Sequence, residues 1–441
     1  MNHIKILVLI VFISMPLSAQ LTIEQCYSKA RANYPLIRQY ELIERARDYS
    51  LSNAGKAWLP QVQLSAKASY QSDVTKIPID FASSGIPALQ NIDIPTLSRD
   101  QYGASIDISQ TVWDGGAVSA KRNSIRAESE AKERETDVSL YAVNERVNQL
   151  FFGVLLCDVL TQQNNLFQDD LQRMHDRVNS LMQNGLANQS DLDAVRAEQL
   201  KARQSQTQIT SSRRAYLEML SAFVGDKLNE STILTKPQIT PQTPNRLEIR
   251  RPELTLFDAQ THSLNASVKE INADLMPRLG LFMTGGYGNP ALNMLKDGFQ
   301  AYYIGGVRLS WNFGAFYTRR NRLNLLESNR NTINVQRETF LFNTALNMSG
   351  KENEIGKFRD LLLTDDEIIA LRASVKRSAE VRLENGTATT TDLLRETTAE
   401  QLARQDRAKH EIEMLQAIYG LIFLTNNNSV QDSPGIKKPI K

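Results

Sequence analysis

What the chain lacks sets its limits. After the N-terminal leader no stretch approaches the ~18 consecutive apolar residues that a membrane-crossing helix needs, so contact with a bilayer core would fall to strands. Cysteine is nearly absent. Cys26 lies near the mature start and Cys157 lies deep in a helical tract, so both read as small buried side chains and not as a bridge. The four histidines (His3, His175, His262 and His410) are scattered and have no metal-ligand spacing. No phosphate loop, dinucleotide fingerprint or nucleophile elbow is present, which removes the motif-bearing enzyme classes. Lys and Arg total 51 against 49 Asp and Glu, a net charge of +2 that argues against nucleic acid or anionic lipid as a main partner. Proline is missing from long tracts. None occurs between Gly116 and Asn184, where Gly153 is the one interior glycine, and none occurs from 315 to 385.

The N-terminus has the form of a secretory signal over residues 1–19. Lys5 supplies the positive start, Ile6 to Ile13 the apolar run, and Pro16-Leu17-Ser18-Ala19 a small-residue cleavage site, with cleavage expected after Ala19. The residues before Cys26, Ile23-Glu24-Gln25, do not match a lipidation signal. Residues 425–441 turn to Asn, Ser, Pro and Lys, and are expected to be a disordered tail.

The chain is one unit written twice. Asn33-Tyr34-Pro35 has a counterpart in Arg250-Arg251-Pro252, and Pro60 with its alternating sequel has one in Pro277, at the same offset. Asn184-Gly185-Leu186-Ala187 with Asp191 matches Asn385-Gly386-Thr387-Ala388 with Asp392 at a shorter offset. A longer loop at 71–98 than at 289–300 accounts for the difference. The expected boundaries are residues 20–224 for the first repeat, 225–245 for a proline-bearing linker and 246–424 for the second repeat.

Each repeat is expected to run helix, strand, strand, helix, helix. Val62, Leu64, Ala66, Ala68 and Tyr70 alternate with polar residues, as do Tyr102, Ala104, Ile106, Ile108 and Val112. Leu279, Leu281, Met283 and Tyr287 repeat the pattern, followed by Tyr303, Val307, Leu309, Trp311 and Phe313. Period two with one apolar face means half-buried strands, each about ten residues long, the length of a tilted membrane strand. Val62, Leu64, Ile106, Ile108, Leu281 and Leu309 are the expected lipid-facing residues, with Tyr70, Tyr102, Tyr287 and Tyr303 as an aromatic girdle at the loop-side ends. Soluble hairpins on a sandwich core are the alternative. Four strands cannot close a barrel, so membrane strands here would require several chains to share one.

A proline-free tract of ~69 residues would make a helix of roughly 100 Å. Leu140, Val143, Val147, Leu150, Val154 and Cys157 form one heptad seam, and Phe152, Leu155, Val159 and Leu166 form a second on the same helix. Leu192, Val195, Gln199, Ala202, Gln206, Ile209, Arg213, Tyr216, Leu220 and Phe223 line the return helix; Ala408, Ile412, Leu415, Tyr419 and Ile422 line the last. Two seams on one helix mean neighbours on both sides, as in a ring, although an ordinary antiparallel coiled coil is the plainer alternative. Asp365-Asp366-Glu367 reads as a solvated helix face.

Together these features resemble the TolC family of outer-membrane efflux proteins. The resemblance rests on Leu21-Thr22-Ile23-Glu24-Gln25, Asn33-Tyr34-Pro35, Leu59-Pro60, Val112-Trp113-Asp114-Gly115-Gly116, Arg251-Pro252-Glu253-Leu254 and the two Asn-Gly tips. It implies a mostly helical fold with a membrane β-barrel: two tandem repeats, coiled-coil helices forming a periplasmic α-barrel, and four strands per chain in a shared twelve-stranded barrel. It further implies a homotrimer in the cell outer membrane and its lipid, with a long periplasmic extension. That trimer would dock to a periplasmic adaptor and an inner-membrane pump, without cofactor, enzymatic chemistry or nucleic acid. The implied role is the passive exit duct of a tripartite efflux system for small toxic compounds, drugs or metal ions. A type I secretion duct for a protein or peptide, and a pore-less periplasmic coiled coil, are the alternatives. Asn184, Gly185, Leu186, Asp191, Asn385, Gly386 and Thr387 would form the docking and latch region, with Asp392 and Arg395 at the periplasmic constriction. The family's latch Tyr and Arg are replaced here by Leu383 and Ala388, and its second ring acid by Arg395.

Overall fold

The computed structural model describes residues 20–75, 97–238 and 248–426. The signal segment 1–19, residues 76–96 of the first hairpin, residues 239–247 of the expected linker and the tail from 427 lie outside the described residues. The elements are α1 (Ile23–Asn33), α2 (Gln39–Gly55), β1 (Gln61–Tyr70), β2 (Asp100–Trp113), α3 (Ala117–Tyr141), α4 (Val143–Gln183), α5 (Gln189–Val224), α6 (Pro252–Ala273), β3 (Arg278–Asn289), β4 (Gln300–Ser310), α7 (Gly314–Glu384) and α8 (Thr390–Thr425). They fall into two compact units. The first holds residues 1–39, 134–255 and 337–441; the second holds 40–133 and 256–336.

In the first unit the motifs that punctuate the sequence have local causes. Thr22 and Gln25 form a capping box that starts α1: the Gln25 N–H donates to Thr22 Oγ1 at 3.3 Å, and the Thr22 N–H donates to Gln25 Oε1 at 3.1 Å. Tyr34 is extended, as a residue before proline must be, and ends that helix. Asn33 donates to the Ala222 and Phe223 carbonyls at 3.1 and 3.2 Å, closing the C-terminal end of α5. Arg251 pairs with Glu253 and stacks on Tyr141, Phe340 and Phe423, with ring centroids 5.0–5.6 Å away.

The core follows the heptads. Ile23, Cys26 and Ala30 of α1 meet Val147, Phe151 and Val154 of α4, Leu217 and Leu220 of α5, and Ile412 and Leu415 of α8. Each of these larger side chains contributes about 1.5–3 kcal/mol by leaving water. Both cysteines are free and buried, and burial pushes the Cys26 thiol up to about 12. Residues 225–238, within the segment expected to link the repeats, do not hang free. Leu21 bridges Leu234 in parallel, and Leu234 is buried in this core.

A second cluster of the same unit joins Phe167, Leu171, Met174 and Val178 of α4 to Val195 of α5, Ala379 and Leu383 of α7, and Leu393 of α8. Leu166, expected in a seam, is exposed, and Phe167 takes its place. The tract expected as one helix from 116 to 184 is broken at Ala142, between α3 and α4.

In the second unit four strands pair in the order β1-β2-β3-β4, every neighbour antiparallel. This is a meander in which β1 and β4 each keep one edge without a partner among the described residues. Among the described residues no helix is long and apolar enough to cross a membrane.

Candidate functional site

The register sorts the sheet into two faces. Leu64 stands opposite Ile106 and Val62 opposite Ile108; Leu281 stands opposite Val307 and Leu279 opposite Leu309. These rows make one continuous apolar face that the chain leaves uncovered: Val62, Leu64, Ile106, Ile108, Leu281 and Leu309 are 67, 75, 49, 38, 49 and 67% exposed. Tyr102 and Tyr287 stack on Phe299 at 6.5 and 5.5 Å near the loop-side end.

The opposite face is polar and internally bonded. Thr284 donates to Asp107 Oδ1 at 2.5 Å, Ser105 donates to Asp107 Oδ2 at 3.2 Å, and the Ser65 and Ser105 hydroxyls lie 2.8 Å apart. Arg308 lies over the Phe282 ring at 4.6 Å.

One detail departs from strict alternation. Between Thr111 and Trp113 the β2 register shifts, so Trp113, not Val112, stands opposite Leu279. The bulge brings Trp113 to the apolar face, where Leu279 and Leu309 also lie. Trp311 follows the same parity just past β4, its indole N–H donating to the Leu275 carbonyl at 2.9 Å. The chain therefore has a second aromatic band at the helix-side end, of which the sequence alternation includes Trp311 but not Trp113. Its signal was the placement of all three tryptophans, Trp58, Trp113 and Trp311, at strand-helix switches.

That switch is built by Asp114. It is buried, and it accepts from the Gly116 N–H at 2.8 Å and the Val118 N–H at 2.6 Å, which caps α3. Gly115 has φ +68°, and a Cβ there would sit 2.2 Å from Met276 Cβ. The turn ahead of α3 and the turn ahead of β3 approach this closely only with glycine.

In the other unit, both helical-hairpin tips have one geometry. Gly185 and Gly386 have φ +75° and +67°. The Leu186 N–H reaches back to the Leu181 carbonyl at 2.8 Å, and the Thr387 N–H reaches the Arg382 carbonyl at 2.9 Å. Asn184 and Asn385 each donate a side-chain amide to the carbonyl four residues back, at 2.9 Å. Each return helix then opens with a capping box, Asn188 with Asp191 and Thr389 with Asp392.

Asp191 and Asp392 thus carry a local task. Asp392 accepts from the Thr389 N–H at 3.0 Å and the Thr389 hydroxyl at 2.8 Å. The Thr389 backbone bond, then its hydroxyl, hold the Asp392 carboxyl below the usual carboxylate range, with Arg395 and Arg382 adding to it. Arg395 stands 3.9 Å from Asp392 but hydrogen-bonds Glu396 at 3.1 Å. Leu186 is 76% exposed at its tip.

Polar groups unseen in the sequence join α7 to its neighbours. Lys376 lies 2.7 Å from Asp170 of α4 and 3.1 Å from Glu400 of α8, and Arg404 pairs with Glu400 at 2.5 Å. Burial works against the Lys376 charge, but the two carboxylates prevail and its pKa is raised. Glu396 is buried and meets Arg372 at 3.4 Å. Asp365, expected on a solvated face, is also buried, 2.7 Å from His410. The neighbouring Asp366 pairs with Arg407 at 2.5 Å. Heptad reading could not find this ladder, because its members are charged residues at helix-contact positions.

The family model for the outer membrane efflux protein matches residues 26–226. No curated protein sequence matches the chain. Among solved structures, the outer-membrane channel OprN is 16% identical, covering 91% of this chain and 89% of its own, with a TM-score of 0.63. The outer membrane protein VceC of Vibrio cholerae is 14% identical over 91% and 95%, with a TM-score of 0.64. The MtrE outer membrane channel of Neisseria gonorrhoeae, in its open state, is 11% identical over 91% and 88%, with a TM-score of 0.63. At these identities the likeness is one of fold, and it extends over both repeats, beyond the span of the family match. Residues 26–226, fewer than half of the chain, match the outer membrane efflux protein family, and the fold of the chain is similar to that of these outer-membrane channels.

Proposed function

We propose that the chain is one third of a trimeric exit duct serving a tripartite efflux system. The observation that carries this reading is the four-stranded meander, with two open edges and one uncovered apolar face. An open strand edge in hydrocarbon leaves backbone groups unpaired at several kcal/mol each, so a lone sheet of this kind has no stable place in a membrane. Pairing β4 of one copy with β1 of the next removes both edges, and three copies give twelve strands, a size within the range of closed membrane barrels. Val62, Leu64, Ile106, Ile108, Leu281 and Leu309 then face lipid, and the Asp107 face lines the lumen.

In this reading transport is passive, with energy supplied by an inner-membrane pump reached through a periplasmic adaptor. The adaptor docks at the tips formed by Asn184, Gly185, Leu186 and Asp191 and by Asn385, Gly386 and Thr387, where Leu186 offers an exposed apolar contact. The cargo is a small toxic compound, a drug or a metal ion; the efflux role of the family supports this choice over protein export. Asp392 and Arg395 from each copy surround the closed end. Arg395, exposed and within 3.9 Å of Asp392, offsets the repulsion among three converging carboxylates.

Planar-bilayer recording of the purified protein tests the duct. Discrete conductance steps are expected, and their absence from protein that has inserted would refute it. Asp392→Ala should change cation preference, and Arg395→Ala should raise the closed-state leak. If both conduct like wild type at low salt, where screening is weakest, the constriction lies elsewhere.

A further inference from the structure

The helix-side end of the sheet carries an unbalanced set of cations. Residues 117–126 of α3 hold Lys121, Arg122 and Arg126 and no acid; residues 314–322 of α7 hold Arg319, Arg320 and Arg322 and no acid. Both segments begin within a few residues of a strand end, in the second unit. Hydrogen bonds and ion pairs put them side by side with α6. Lys121 lies 3.7 Å from Glu270, Arg322 lies 2.9 Å from Asp274, and Arg319 donates to Asn272 at 3.3 Å. These two acids, Glu270 of α6 and Asp274 just past its end, are spoken for: Asp274 is also 3.7 Å from Arg278 at the start of β3. Arg122 and Arg320, together with Lys56 just before β1, are exposed and have no ion-pair partner among the described residues. At the other end of the strands the described charges are Asp73, Arg99, Asp100, Lys296 and Asp297, which sum to −1 by two cations against three acids.

We propose that this end of the sheet is a binding surface for the phosphate headgroups of anionic phospholipids in the leaflet facing the helices, an inference that rests on the membrane-strand reading above. The placement favours lipid over a lumenal ligand. The bulge in β2 brings Trp113 to the apolar face, Trp311 follows the same parity, and Trp58 precedes β1. Indole rings settle at the headgroup level, and arginine stems lie along apolar surface while their guanidinium groups reach outward to phosphate. The cations begin one to two helical turns beyond this aromatic band, about 5–12 Å along the helices, which is the depth of a headgroup layer with the reach of an arginine. Arginine suits phosphate because its planar fork can donate two hydrogen bonds at once. The whole-chain charge of +2, which argued against anionic lipid, conceals the surface because acids elsewhere cancel it.

The test uses the full mature chain reconstituted in nanodiscs of equal phosphatidylglycerol and phosphatidylcholine, re-extracted in mild detergent, with retained lipid identified by native mass spectrometry. Wild type should retain phosphatidylglycerol in preference by roughly tenfold or more, since each cation near an anionic surface is worth about fivefold. Lys56→Gln, Arg122→Gln and Arg320→Gln combined should abolish the preference; Arg122→Lys with Arg320→Lys should keep most of it; Arg99→Gln at the other end should not change it. Excess inorganic phosphate should leave the retained lipid in place. Equal retention of the two lipids by wild type, or a preference that survives the triple substitution, overturns the proposal. So does a triple variant that keeps its lipids but loses an anion preference in channel recordings, which would place these cations in the lumen. A wild-type chain that fails to enter nanodiscs at all refutes the membrane reading itself, a result distinct from insertion without lipid preference.

Discussion

Replacing Leu64 by arginine separates a membrane sheet from a soluble one. Leu64 sits mid-strand in β1, opposite Ile106, and is 75% exposed in the single chain. On a protein surface in water such a change costs no more than about 0.5 kcal/mol, because nothing is buried and nothing is unpaired. In a bilayer the same position lies near the midplane, where a lipid-facing arginine costs about 2–4 kcal/mol. That corresponds to a roughly 30- to 900-fold shift in the folding equilibrium per chain, and a trimer would carry three copies. The control is the adjacent residue. Gln63 faces the other side of the sheet, opposite Asp107, so Gln63→Arg adds a cation beside an acid and should cost close to nothing. Urea unfolding in lipid vesicles, read by the mobility shift between folded and unfolded barrel, measures both. Equal effects of Leu64→Arg and Gln63→Arg would refute the two-faced assignment, and no effect of either would refute a lipid-facing sheet.

Three further outcomes are expected. Gly115→Ala places a methyl 2.2 Å from Met276 Cβ at φ +68° and should cost about 2–5 kcal/mol in strain and overlap, seen as a lowered unfolding midpoint; wild-type stability would remove the close-approach argument. Lys376→Met leaves Asp170 and Glu400 without their shared cation and should cost about 1–3 kcal/mol, less than a fully buried pair because Lys376 and Asp170 keep some water contact, with Glu400→Met added on top restoring part of the loss. The raised Lys376 pKa makes its contribution complete below the ordinary lysine value of about 10.4 and lost as pH rises past it, which the same unfolding assay follows. Asp392 has the opposite sign: its depressed pKa makes the α8 cap complete above about pH 3.9 and lost as pH falls below, so amide exchange at 390–393 should quicken in acid in wild type and show no such step in Asp392→Asn.

Much of this fold was legible because its punctuation is chemical. Asn33-Tyr34-Pro35, Asp114-Gly115-Gly116 and the Asn-Gly tips each stand where a chain end must be capped or φ must be positive. The alternation of Val62 to Tyr70 and of Tyr303 to Leu309 fixed the strand faces, since period two admits one register per buried face. What period two does not encode is a bulge, and so Trp113 went unassigned to the apolar face. The second seam failed at Leu166 for a similar reason: a heptad extended too far lost phase, and Phe167 is the buried residue. The α7–α8 ladder was invisible because Asp365, Lys376 and Glu400 look solvated in sequence and become contacts only when three helices converge. The tip acids show the limit of motif reading. Asp191 and Asp392 have a complete capping role within one chain, and a role between chains would add to it.

The number of chains in the particle tests the central claim most directly. Light scattering of the mature protein in detergent, corrected for bound detergent, should give three copies, and the assembly should withstand dilution because each chain closes its neighbours' open edges. A stable, folded monomer with β1 and β4 still unpaired would contradict the account.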